Sequence, residues 1–190
     1  MILFTNKRQR SSKRTIFPRM KNKYILSLLS FILSLNVFAY DKTVDFVDLE
    51  RFMGDWYVVA GRFTPLEKNV FNGVETYKWN TKANRIDISF TYNQGSLTGP
   101  VKSLPQKGWV FNTQTNAHWK VSPLWPLKLD YLVIGLAADY EWTVIGVPNE
   151  KYVWIMSRNP KLPKETIQNI IDELNIKGYN TDRILYVEHN

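Results

Sequence analysis

The chain has 190 residues, 44% hydrophobic and 22% charged, which bounds it to one domain, or one domain behind a leader. Its formal charge of +8 is confined to the N-terminus: residues 1–39 hold eight basic side chains (Lys7, Arg8, Arg10, Lys13, Arg14, Arg19, Lys21, Lys23) and no acidic one, and the rest carries 17 basic residues against 17 acidic. A neutral body has no basic stripe to follow a phosphate backbone, which excludes nucleic acid as a partner. The absence of cysteine excludes disulfides, thiolate nucleophiles and thiolate metal sites, and on this reading attachment of a lipid to an N-terminal cysteine.

Residues 1–19 are basic and polar without apolar periodicity, and read as a non-structural extension, with Met20 a second possible start. Residues 20–39 (MKNKYILSLLSFILSLNVFA) have a charged start, an apolar run and a V-F-A ending, the pattern of a secretory signal peptide. The run is about 14 residues, short of the ~20 that span a bilayer. Cleavage after Ala39 is therefore expected, leaving a folded domain over 40–190 that is exported to the periplasm or cell envelope, or secreted.

Asp45–Phe52 has helical spacing and stops at Gly54, predicting one or two turns of helix. Short apolar segments then recur at Trp56–Phe63, Gly73–Trp79, Arg85–Tyr92, Pro100–Leu104, Gly108–Phe111, Ala117–Val121, Tyr131–Leu136, Trp142–Val147 and Tyr152–Ser157, the rhythm of an antiparallel sandwich or barrel. The clearest is RIDISFTY, where Ile86, Ile88, Phe90 and Tyr92 alternate with Arg85, Asp87, Ser89 and Thr91, so one face is apolar and one wet. Asn80–Asn84, Asn93–Gly95 and Pro148–Glu150 supply turn residues. Leu162–Ile176 carries Ile167, Ile170, Ile171 and Leu174 at helical spacing before Gly178 and predicts the one long helix; Arg183–Val187 predicts a last strand that returns to a sheet edge. The aromatic content of 14% suits a strand-rich protein. The economical assembly is all-β: about eight strands in one closed sheet with a helix packed outside, since closure removes exposed edges. Eight strands enclose room for one small ligand.

Three motifs in this order resemble the lipocalin family: Gly54-Asp55-Trp56-Tyr57 after the short helix, Ala138-Asp139-Tyr140 between YLVIGL and WTVIGV, and Arg158 closing YVWIMSR before NPKLP and the helix. The resemblance covers Asp45–Asn190 and is greatest to bacterial lipocalins and their apolipoprotein D and plant temperature-induced relatives. Ala138 departs from the threonine usual in the second motif. The resemblance implies an eight-stranded up-and-down antiparallel barrel with a short N-terminal helix and one C-terminal α-helix outside. Gly54, Trp56, Tyr57, Asp139, Tyr140 and Arg158 are then structural, with Trp56 plugging the narrow end and Arg158 lying over its ring.

The implied function is to bind, store or transport a small hydrophobic ligand, a fatty acid or lysophospholipid, in the barrel interior. The residues expected to face it are Val58, Ala60, Ile86, Ile88, Phe90, Tyr92, Trp119, Val121, Leu132 and Ile134, with Arg62 near the mouth for a carboxylate or phosphate. No cofactor or metal site is expected. Enzymatic activity is not expected either: His189 sits by the C-terminus where chains fray, His118 alternates outward, and Gly95–Gly99 (GSLTG) only resembles a nucleophile elbow. A further reading is a filled barrel that acts through Leu124, Trp125 and Leu127, which the loop Ser122–Asp130 exposes to a membrane surface or a second copy.

Overall fold

The computed structural model describes residues 39–67 and 69–190. The extension 1–19 and, apart from Ala39, the leader 20–39 lie outside the described residues. A four-residue helix α1 (Leu49–Phe52) precedes β1 (Gly54–Arg62), and a 3-10 turn at Pro65–Glu67 precedes β2 (Val70–Asn80). There follow β3 (Arg85–Gln94), β4 (Val101–Val110), β5 (His118–Ser122), β6 (Leu129–Leu136), β7 (Trp142–Gly146) and β8 (Val153–Ser157). Helix α2 (Lys164–Ile176) and the short β9 (Leu185–Tyr186) complete the chain.

Sequential neighbours pair antiparallel from β2 to β8, and β1 closes the barrel by taking β8 on one side and β2 on the other, from Gly54↔Tyr77 to Tyr57↔Val74. Beyond Tyr57 the second edge of β1 takes β9 instead, through Ala60↔Tyr186 and Gly61↔Leu185, as the sequence led one to expect of the last strand. The segments read as Pro100–Leu104 and Gly108–Phe111 are one strand, because Pro105 continues β4 opposite Ser89. β4 pairs with β5 only from Lys107 to Val110, so Pro105 sits where one edge is unpaired and its missing N–H breaks no ladder on that side. Helix α1 is shorter than Asp45–Phe52: Asp48 caps it, its carboxylate accepting from Glu50 N (3.0 Å) and Arg51 N (3.2 Å).

Two cores share the barrel wall. The inner one gathers Phe52, Trp56, Val58, Tyr77, Ile86, Ile88, Phe90, Tyr92, Trp119, Val121, Tyr131, Val133, Ile145 and Met156. The outer one lies under α2, where Ile167, Ile170, Leu174 and Tyr179 pack on Val59, Val144, Val153 and Ile155. Ala60, Leu132 and Ile134, expected in the interior, belong to this outer core. Bulges after Val58 in β1 and after Val133 in β6 shift which residues face in, and β6 is apolar on both faces, so alternation could not say whether Tyr131 and Val133 or Leu132 and Ile134 point inward. Gly146 admits the Tyr179 ring, whose atoms stand 2.9 Å from where a Cβ would lie.

Candidate functional site

One end of the barrel is shut by a packed floor. The Trp56 ring is wholly buried, its Nε1 donates to Phe52 O (2.8 Å), and the Arg158 guanidinium carbon lies 3.7 Å from the ring centroid. That guanidinium also donates to Arg51 O, Phe52 O, Met53 O and Asp55 O at 2.7–3.1 Å, stitching β8's end to the last turn of α1. Gly54 turns the chain there with φ +98, and a Cβ would stand 3.4 Å from Arg158 Nη1. The second motif braces the same end. Tyr140, itself at φ 65, accepts from Asp48 N at its hydroxyl (2.8 Å) and lies under Arg51 (4.0 Å), while Asp139 Oδ1 accepts from Glu141 N (3.0 Å). Tyr57 faces outward, edge-on to His189 at 5.7 Å. The Trp119 ring stacks on Tyr131 at 5.4 Å and meets Phe52 edge-on at 5.2 Å.

Above the floor the lumen is apolar, apart from one cluster. Glu75 on β2 is 7% exposed and faces inward between Trp56 and Phe90, its register partners. Gln106 on β4 donates from Nε2 to Glu75 Oε1 (3.4 Å), and the Tyr77 hydroxyl hydrogen-bonds both to Glu75 and, across the lumen, to the Tyr131 hydroxyl. Burial pushes the Glu75 carboxyl up to about 7; the bond from Tyr77 opposes this, and the charge of nearby Glu67 adds to it. Burial and the Glu75 charge hold both tyrosine hydroxyls well above their ordinary range. Glu67 is fixed by Trp154 Nε1 (3.0 Å) and by Thr64.

Ile88 stands opposite Tyr77 and Gln106, Phe90 opposite Glu75 and Leu104, and Tyr92 lies beyond them toward the rim, with Phe90 stacked on Tyr92 at 5.1 Å; Val121 joins the same inner core. Lys102, opposite Tyr92, is exposed at the rim. Sequence reasoning missed Glu75, Tyr77, Gln106 and Tyr131. In VFNGVETYKWN, Glu75 shares its parity with Tyr77 and Trp79, and that was the available signal.

Of the residues expected around a ligand, Val58, Ile86, Ile88, Phe90, Tyr92, Trp119 and Val121 come together in the inner core, with Trp119 in the floor. Arg62 does not reach the mouth: its guanidinium donates to Lys151 O (2.8 Å), Glu150 O, Asn180 O (3.0 Å), Asn180 Oδ1 (3.1 Å) and Asp182 O, outside the barrel. His189, expected to fray, is held with Nε2 2.9 Å from Val58 O, and burial lowers its pKa below the usual histidine value. His118 points outward, its Nε2 2.6 Å from Asp130 Oδ1. Leu124, Trp125 and Leu127 are exposed at 76%, 70% and 52%. Lys128 lies over Trp109 (4.5 Å) and Trp125 (5.8 Å). Trp125 edges a 650 Å³ groove on the outer wall, across from Lys78, Arg85 and Lys107.

The model of the lipocalin-like domain matches residues 47–189. The outer membrane lipoprotein Blc of Vibrio cholerae is 25% identical over 148 residues, 77% of this chain and 85% of that protein. Temperature-induced lipocalin-1 of Arabidopsis thaliana is 27% identical over 146 residues, 73% of this chain and 77% of its own. Among solved structures, insecticyanin of the tobacco hornworm Manduca sexta superposes with a TM-score of 0.60 at 16% identity, covering 80% of this chain and 86% of its own. Lobster apocrustacyanin A1 does so at 0.58 and 14%, covering 83% and 94%. The closed barrel, the Arg158-capped floor and a family match over 143 residues agree, and the chain belongs to the lipocalin family.

Proposed function

We propose that this protein carries a small amphiphile with its hydrocarbon part inside the barrel, a fatty acid or lysophospholipid entering chain first. The observation that supports this best is the layout of the lumen: a sealed aromatic floor, apolar walls of Ile88, Phe90, Tyr92, Val121 and Leu104, and an exposed lysine, Lys102, at the rim. Lipocalins are mostly binding and transport proteins. A chain of about 15 methylenes gains ~12 kcal/mol at ~0.8 each on burial. Association costs of ~4–15 kcal/mol offset much of that, and at the low end of the cost the surplus of ~8 kcal/mol corresponds to micromolar affinity. Entering chain first keeps a carboxylate or phosphate away from Glu75 and beside Lys102.

The family relatives named as outer membrane lipoproteins support an envelope location. Export with cleavage after Ala39 follows from the leader, and N-terminal sequencing of the exported protein then begins at Tyr40. On the same reading the exposed Leu124–Trp125–Leu127 loop beside Lys128 is the surface that meets a membrane. Native mass spectrometry of the purified protein, followed by organic extraction, tests the proposal. Co-purified acyl lipids at one per protein support it. A ligand-free protein that takes up no lipid when incubated with one contradicts it.

A further inference from the structure

A carboxyl group buried among rings lowers stability unless something pairs with it. Glu75 has no cationic partner. Its neighbours from the surrounding elements are Tyr77 on the same strand, Tyr131 on β6, Gln106 on β4 and the second carboxylate, Glu67, before β2. Arg158 approaches from the floor side, but Trp56 lies between it and the lumen and four backbone carbonyls hold it. Among the described residues no lysine or arginine belongs to the inner core, and Lys102 is exposed at the rim. The middle of the lumen therefore holds one carboxyl group, two phenols and an amide, with the Glu67 carboxylate nearby in the β1–β2 turn, and the group missing from the set is a cation that donates hydrogen bonds.

We propose that Glu75, with Tyr77, Tyr131 and Gln106 around it, is a subsite for the ammonium group of an amphipathic amine, which enters head first and leaves its hydrocarbon part among Phe90, Tyr92 and Leu104. The proposal rests on the lumen admitting a guest and goes beyond acyl-chain carriage by assigning a second ligand class in the opposite orientation. An ammonium offers up to three donors. Glu75 accepts one directly, and the phenol oxygens and the Gln106 carbonyl can accept the others. A charge-assisted bond inside the barrel is stronger than its neutral counterpart. An alcohol of the same length can make only the neutral bond, and a carboxylate entering head first meets a like charge.

The test compares decylamine, decanol and decanoate by calorimetric titration of the purified protein between pH 6 and 8. The amine stays cationic throughout, whereas the ionised fraction of a carboxyl titrating at about 7 rises about tenfold over this interval. Decylamine is expected to bind at least about tenfold tighter than decanol at pH 8, with that advantage largely gone at pH 6. Glu75→Gln, checked for folding by circular dichroism, should erase the advantage and leave decanol within about threefold of its wild-type affinity, since the hydrocarbon contacts are kept. Decanol binding with decylamine no tighter at any pH, or an amine preference that survives Glu75→Gln, would overturn the subsite and leave the lumen reading standing. Failure of all three ligands to bind folded protein would overturn both.

Discussion

Replacing Trp56 by alanine separates a structural floor from a ligand contact. The ring is fully buried, tilted against Phe52 at 5.1 Å, with the Arg158 guanidinium over it. Phe52 O accepts from both Trp56 Nε1 and Arg158 Nη2, so loss of the indole does not orphan that carbonyl. The cost is then the cavity and the lost ring contacts, ~3–5 kcal/mol for an aromatic-to-alanine change in a core. Of this, ~0.5–2 kcal/mol is the cation–π contact. For a domain of this size that lowers Tm by about 6–20 °C. Trp56→Phe, which keeps a ring in the floor, should recover more than half. The assay is denaturant unfolding of both variants beside ligand titration at a temperature where each is folded, with ligand affinity unchanged within about threefold. Wild-type stability combined with abolished binding would show Trp56 to be a ligand contact and refute the floor assignment.

Arg158→Lys should destabilise by ~2 kcal/mol or more, because an ammonium cannot reach four carbonyls and a ring together; denaturant unfolding measures this. Glu75 links stability to pH. Its carboxyl titrates at about 7 in the native state against 4.5 ordinarily, so the native state binds more protons between those values and stability falls as pH rises through that window, by about 3 kcal/mol, and levels off above it. Glu75→Gln should remove this slope in unfolding measured at pH 4.5–8, and an unchanged slope would contradict the burial of the carboxyl. Deleting residues 185–190 removes β9, the Val187 N to Val59 O bond and the His189 contact with Val58, and so uncovers the upper edge of β1. Concentration-dependent aggregation by light scattering is the expected outcome.

The barrel was legible because RIDISFTY and its neighbours alternate cleanly and the three motifs stand in order around it. β4 was split in the reading because proline normally ends a strand, and only the pairing shows that its far edge is free at Pro105. The interior was only partly legible. β3 has one apolar face and was assigned correctly, whereas β6 is apolar on both faces under α2, so its inward residues could be fixed only by the bulge after Val133. Arg62 lies two residues beyond the bulge between Val58 and Ala60, and a shift of one residue there turns every later side chain of the strand to the other face. Glu75 went unnoticed because a charged residue in a strand is ordinarily solvated. Its parity with Tyr77 was the sign that it is not.

The central claim is that a hydrocarbon chain occupies the lumen, and the direct measurement is displacement of a fluorescent fatty-acid probe by saturated fatty acids of increasing length. Affinity should rise with each methylene by up to ~0.8 kcal/mol, about fourfold, until the lumen is full. Ile88→Asp, folded by circular dichroism, should not bind, because it places a second charge among the apolar walls. A response that does not vary with chain length, or no displacement by any acid in folded protein, would contradict the account.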